Sequence, residues 1–387
     1  MIEKERFIQS LPNVKLVLGN GFDLYCGLKT KYEHFFKIDK KKYDYFMNWI
    51  KLFESKAAHY IDLNVSNHCD FWEPLQGFEK VSVWYIIFYV NESYNKDISS
   101  YDWNNIEYLI KKWLKDESYE VKSKTFNFEA VYSLLSGNTV KNNSVPLNIV
   151  TAVIYKKHGE KIFVDKKEFY LFLLDELKLF EKDFGNYIYH QIYDINEYFD
   201  LCTYNNKYKT QANNVIKKLC NPANIISIDS FNYTFLEDYH LKFHNINGDF
   251  YSPIFGIDSS NVDSTDIVHI FSKTNRRLSV DMISDSTYNR EDFKNVIIFG
   301  HSLNEADYSY FFSIFDYIDI MDLSNDHKVI FAYSVYDESK LDEILFNNND
   351  AIYKLFREYS LYKGENNNPN RLLDALTTQG KIILYKI

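Results

Sequence analysis

Leu16-Val-Leu-Gly19-Asn20-Gly21-Phe22-Asp23-Leu-Tyr-Cys-Gly27-Leu28 is the stretch that decides how this chain is read. A short aliphatic run, Val14–Leu18 (VKLVL), enters two closely spaced glycines and then an amphipathic segment. A strand of a parallel α/β sheet ends this way, with backbone N–H groups and a helix start turned toward a phosphate. The spacing departs from the GxGxxG fingerprint, because position 24 is Leu and the third glycine follows the second by six residues. Gly19, Asn20, Gly21, Phe22 and Gly27 form a candidate nucleotide-binding loop. Asp23 has two readings, a helix N-cap worth about 1 kcal/mol or a carboxylate of that site.

Glycine is scarce, 12 in 387 residues, so its placing elsewhere is informative. Gly248 and Gly256 come after Lys242–Ile246 (KFHNI), and Gly300 after Asn295–Phe299 (NVIIF). With Asn224–Ile228 (NIISI), Lys328–Tyr333 (KVIFAY) and Lys381–Tyr385 (KIILY), the pattern predicts six strands, all but the first after residue 220. In between, Tyr43–Leu52, Trp84–Val90, Trp103–Leu114 and Lys166–Ile192 place apolar residues at helical steps. All five Trp lie in this middle part. The expected plan is a nucleotide-binding α/β domain, residues 1–38 and 216–387, interrupted by a helical insertion with its own aromatic core, residues 39–215. The polar tract 364–370 (GENNNPN) is expected to be a surface loop.

Composition narrows the function. With 46% hydrophobic and 25% charged residues the chain can bury a sizeable core, and its net charge is −10 with the basic residues scattered. That distribution argues against a dedicated nucleic-acid surface. Cys26, Cys69, Cys202 and Cys220 make no CxxC pair, which fits a reducing cytosol rather than a disulfide framework or zinc ribbon. No signal-peptide core and no uncharged run of about 18 residues is present, so a cytoplasmic protein without a membrane span is expected. The ten histidines show neither HxH nor HExxH spacing, so no metal is expected.

Three further motifs carry polar groups at strand ends. In Ile225-Ile-Ser-Ile-Asp229-Ser-Phe-Asn232-Tyr233-Thr234, Asn232 and Thr234 either orient a water and a ribose hydroxyl or cap a following helix. His244-Asn-Ile-Asn247-Gly248-Asp249 is the second. The third, Gly300-His301-Ser302-Leu303-Asn304-Glu305-Ala306-Asp307, lacks the second glycine of GxSxG, which makes Ser302 a poor nucleophile. His301 reads as a general base, a hydroxyl ligand or a structural donor, and Asp307 as a ligand or a first-turn helix residue. Trp103 and Glu107, four apart, read either as an aromatic-packed acid of raised pKa or as a core Trp beside a solvated Glu.

Taken in order, GNGFDLYCGLKTKYEHF, FNYT and GHSLNEADYSYFFSIF, with DWNNIE and FSKTNRRL (Phe271–Leu278) in support, resemble the bacteriophage abortive-infection AbiH family over nearly the whole chain. The same order is similar to a diverged sirtuin-type, Rossmann-like parallel sheet, in which a GxG loop, a strand-end asparagine, an HG loop and a late strand end surround NAD. The resemblance implies NAD as substrate or ligand. It puts Gly19, Asn20, Gly21, Phe22, Gly27, Thr234, Asn247, Gly248, Gly300, Ser302 and Asp307 around it. Independently of the resemblance, cleavage through an oxocarbenium-like state calls for a carboxylate, an oriented water and a closed dry pocket, for which Asp23 or Asp307, Asn232 for the water and His301 for a ribose hydroxyl are the catalytic candidates. Two positions depart from the pattern: Thr234 stands where the sirtuin-type motif has aspartate, and Asn247 where it has a catalytic histidine. An asparagine takes no proton from a ribose hydroxyl at neutral pH. Either His244, His301 or Asp23 substitutes, or the protein binds nucleotide without cleaving it.

The leading expectation is an antiphage effector, homo-oligomeric and working with a phage or defence-operon protein, that binds NAD and hydrolyses its N-glycosidic bond. A non-catalytic nucleotide-sensing or scaffold defence protein is the first alternative. The second is a metal-dependent nuclease-type toxin using Asp23, Glu107 and Asp307.

Overall fold

The structure is a computed structural model that describes residues 2–38, 48, 51, 81–94, 103–114, 127–137, 145–196, 201–236, 242–259, 262–263, 265–279, 293–364 and 371–387. They divide into two compact units. The first comprises Met1–Thr30, Gly185–Pro253 and Arg277–Ile387; the second comprises Lys31–Phe184 and Ile254–Arg276.

The first unit is built on a sheet of β1 (Val14–Leu18), β4 (Ile225–Ser230), β5 (Lys242–Asn245), β6 (Asn295–Phe299), β7 (Lys328–Tyr333) and β8 (Ile382–Lys386); β2 (Tyr193–Asn196) and β3 (Leu201–Tyr204) pair separately as an antiparallel hairpin. The six strands lie in the order β5-β4-β1-β6-β7-β8, and every pairing is parallel. Counted along the chain, that is third, second, first, fourth, fifth, sixth, the doubly wound Rossmann-like order, whose direction reverses at β1. β1 and β6 are buried along their whole length, which explains why both, but for Lys15 and Asn295, read as continuous apolar runs rather than alternating ones.

Alternate residues of these strands feed two cores. Leu16, Leu18, Ile228, Ile297 and Phe299 pack with Tyr208, Ala212, Val215 and Ile216 of the Asn206–Leu219 helix. Val17, Val296, Ile298 and Phe331 pack with Phe311 and Phe315 of the Tyr308–Tyr317 helix and with Leu355 and Phe356 of the Leu341–Tyr362 helix. All six expected strands form, with ends shifted by one or two residues at β4, β5 and β8. The β2–β3 hairpin was not expected; its four-residue strands are too short to show a period of two.

The second unit is helical. Its Val83–Tyr94 helix is buried on every side from Val83 to Asn91, the signature of a central helix. Trp84 packs on Phe88 and Phe128 and donates from Nε1 to the Leu173 carbonyl at 3.0 Å. Glu176 accepts the Val83 N–H and the Lys157 ammonium, both at 2.8 Å, so a buried carboxylate caps that helix and is neutralised at once.

The unit boundaries differ from those expected. Tyr32 packs at a tilt against Phe184 and Phe255, ring centroids 5.0 and 5.4 Å away, which carries residues from 31 onward and from 254 onward into the helical core. The Asn206–Leu219 helix, expected in the insertion, instead covers the sheet. Most of Tyr43–Leu52 and of the 364–370 tract, together with Asp102 and the Trp103 side chain, lies outside the described residues. Among the described residues no helix is long and apolar enough to cross a membrane.

Candidate functional site

The loops after β1 and β6 meet at the carboxyl edge of the sheet, where its strand order reverses. Gly19 N–H donates to the Phe299 carbonyl at 2.9 Å, and Gly21 N–H to the Gly300 carbonyl at 2.7 Å. A Cβ at Gly19 would stand 2.5 Å from His301 Cα, and one at Gly21 2.7 Å from Gly300 Cα. Gly300 itself has φ +72. Glycine is therefore required at 19, 21 and 300 by the mutual approach of two backbone segments.

Gly27 has a different cause. Its N–H bonds the Leu24 carbonyl, and the Leu28 N–H bonds the Asp23 carbonyl, both at 3.0 Å, with φ +92 at the glycine. This is a Schellman closure of the short Asn20–Tyr25 helix. The N-cap of that helix is Gly19, without a side-chain bond, so Asp23 is not a cap. Asn20 accepts from the Thr30 hydroxyl at 2.6 Å, and Phe22 packs edge-on against Phe299.

Asp23 is only 1% exposed. It accepts from the Tyr208 hydroxyl at 2.9 Å and from the Thr234 hydroxyl at 2.9 and 3.0 Å. Burial raises its carboxyl from 3.8 to about 7, against the opposing pull of the Thr234, Tyr208 and Asn232 donors. Asn232 donates from Nδ2 to the Gly19 carbonyl at 3.0 Å, and its own carbonyl accepts from Asn245 Nδ2 at 2.7 Å. The Asn232 and Thr234 side chains tie the end of β4 to the loop and short helix after β1; the helix start they were expected to cap falls on residues 237–241, outside the described residues.

The GHSLN loop folds His301 back on itself. Its Nδ1 accepts the Leu303 N–H at 2.8 Å, and its Nε2 faces Asp307 Oδ2 at 3.3 Å. The ring lies edge-on to Phe231 and Phe311, centroids 4.4 and 5.0 Å away. Leu303 takes φ +53, an uncommon conformation for a leucine, to make this turn. Ser302 is exposed. Asn247 is buried and its Oδ1 accepts from Arg277 at 3.0 Å, beside Gly248 at φ +78.

The structure thus brings Gly19, Gly21, Asp23, Asn232, Thr234, Gly300 and His301 together at one sheet edge, with Asp307 on His301. Glu107, in the helical unit, is ion-paired with Lys273 at 2.7 Å, both side chains buried, so it is neither a solvated Glu nor an uncompensated acid. Sequence reasoning missed Tyr208, Asn245 and Tyr310. It also missed the buried pair Lys15–Asp229, 2.9 Å apart, although one charge inside each of two aliphatic strands was a readable signal. Among the described residues no group of three or more His, Cys, Asp or Glu side chains could hold a metal ion. Comparison with protein-family models, with curated proteins and with solved structures finds no match to this chain.

Proposed function

We propose that the chain is a cytoplasmic antiphage abortive-infection effector that binds NAD at the carboxyl edge of its parallel sheet and hydrolyses the nicotinamide–ribose bond on infection. The observation that carries this reading is the convergence of the β1, β4 and β6 strand ends on Gly19, with Asn232 bonded to its carbonyl, at the place where doubly wound sheets bind nucleotides. The leaving nicotinamide departs neutral and needs no acid at its nitrogen. What the chain supplies is a positioned amide, Asn232, and a buried carboxyl group, Asp23.

The test is the NAD content of cells producing the wild type or Asn232→Ala at matched levels, before and after phage challenge. NAD is expected to fall only with the wild type. Level NAD in cells that the wild type still protects overturns hydrolysis.

The Asn247–Arg277 bond favours a second reading, a nucleotide sensor without turnover, because the position expected to carry a base holds an amide already engaged. That reading predicts saturable NAD binding with no nicotinamide released.

A further inference from the structure

The Leu341–Tyr362 helix is longer than the core it covers. It starts at the carboxyl edge of the sheet, where Glu338, just before it, pairs with Lys386 at the end of β8, 2.9 Å apart. Its buried residues begin at Ile352, and none of residues 341–350 is buried. At about 1.5 Å per residue, roughly 15 Å of helix extends beyond the core. Four of its first six residues are apolar, Leu341, Ile344, Leu345 and Phe346, and Phe346 is 70% exposed. Tyr353, about two turns on from Phe346 and on the same side of the helix, is 42% exposed. A contiguous apolar face of this kind marks a contact surface.

The charges around that face narrow the partner. Glu338, Asp342, Glu343 and Asp350 flank it, and Lys354 is paired with Asp350 at 2.7 Å. Two such faces laid against each other would oppose acid to acid, and an anionic membrane would repel the face as well. The complementary surface lies on the same unit of the chain. The Asn206–Leu219 helix carries Lys207, Lys209, Lys217 and Lys218 and no acidic residue. Lys207 stands in its first turn, where the helix dipole disfavours a cation, so helix stability does not explain it. Beside this helix, Asn213, Ile216, Lys217, Ile228, Leu236 and Phe243 line a cavity of ≈ 230 Å³. An apolar void of about 150 Å³ already takes a benzene ring.

We propose that the Leu341–Tyr362 helix of one copy docks on the Asn206–Leu219 helix of a second copy, with Phe346 seated in that cavity and Asp342 and Glu343 against the lysines. A knob on one surface and a hole on another make a head-to-tail contact, and unless the rotation between copies closes a ring, the chains grow into a filament. The assembly does not depend on what the sheet-edge site binds or cleaves.

The experiment is sedimentation velocity of the full-length protein over about a hundredfold range of concentration, at roughly 0.05 and 0.5 M salt. The wild type is expected to grow in size with concentration and to dissociate at the higher salt. Phe346→Ser, at a position exposed in the single chain, is expected to weaken association by about tenfold or more. Asp342→Lys with Glu343→Lys, and separately Lys207→Glu with Lys217→Glu, are each expected to leave the chain monomeric. A mixture of the two regains association, because the reversed head of one variant now matches the reversed tail of the other. A wild type that stays monomeric throughout overturns the proposal, and so does a mixture that stays apart while circular dichroism shows both variants folded. A dimer that grows no further and survives Lys207→Glu with Lys217→Glu overturns it too, because the apolar face would then be pairing with its own copy.

Discussion

Asn232 Nδ2 donates to the Gly19 carbonyl at 3.0 Å while the Asn232 carbonyl accepts from Asn245, so one residue at the end of β4 links the loop after β1 to β5. Asn232→Ala leaves a buried carbonyl without its donor, at a cost of about 1–3 kcal/mol. The variant is therefore expected to lose stability along with NAD turnover. Urea denaturation measured beside nicotinamide release checks both, and an alanine variant as stable as the wild type would show that the amide does not hold the loop.

The glycines that follow β1 and β6 separate by cause. At Gly300 a Cβ would meet the Phe22 nitrogen at 2.3 Å, on a residue already at φ +72; at Gly27, φ +92, a Cβ meets nothing within 4 Å. Gly27→Ala is expected to lose about 1–2 kcal/mol, the penalty of a left-handed L-residue alone. Gly300→Ala adds a clash with backbone that has nowhere to move, and is expected to lose at least twice as much or not to fold. Thermal midpoints of the two variants decide it; equal losses would mean that the β1 and β6 loops do not pack as described.

Much of this could be read from the sequence because buried parallel strands announce themselves. VKLVL and NVIIF are buried along their whole length and, apart from Lys15 and Asn295, apolar, since both faces are covered, and each runs into glycine. The sequence did not disclose why the glycines are there. A Gly that admits a ligand and a Gly that admits another loop look alike in one dimension, and Gly300 sits 279 positions beyond its partner Gly21. Tyr208 escaped notice for a related reason. It lies in a helical pattern dominated by its apolar face, and its hydroxyl acquires meaning only opposite Asp23. The unit boundaries were blurred by Phe255 and Arg276, which follow the sheet's own strands in sequence and pack with the helical core.

Asp23 gives the chain a pH-dependent stability whose sign follows from its burial. The folded carboxyl titrates at about 7 against 3.8 unfolded, so between those values the folded state holds a proton that the unfolded state has released. Stability contributed by that protonated group is fully present below about pH 4 and falls as pH rises toward 7 and through it. Asp23→Asn removes the titration. Denaturation midpoints of the variant are expected to decline less between pH 4 and 8 than those of the wild type, and parallel pH profiles would place the Asp23 proton elsewhere.

Two adjacent arginines of the FSKTNRRL segment are expected to behave differently. Arg276 makes a two-pronged ion pair with the buried Glu181, one arm at 2.7 Å, and also donates to the Phe255 carbonyl at 2.8 Å. Arg276→Met strands a carboxylate whose remaining donor among the bonds described is the Phe255 N–H at 2.7 Å, and should lose about 3–5 kcal/mol. Arg277→Met loses the bond to Asn247 and should lose about 1 kcal/mol. The double variant Glu181→Leu with Arg276→Met is expected to recover most of the stability, because an apolar pair fills the same space without an uncompensated charge. Recovery would assign Arg276 to the architecture of the helical unit. A double variant as weak as Arg276→Met alone would mean that the guanidinium serves something beyond Glu181.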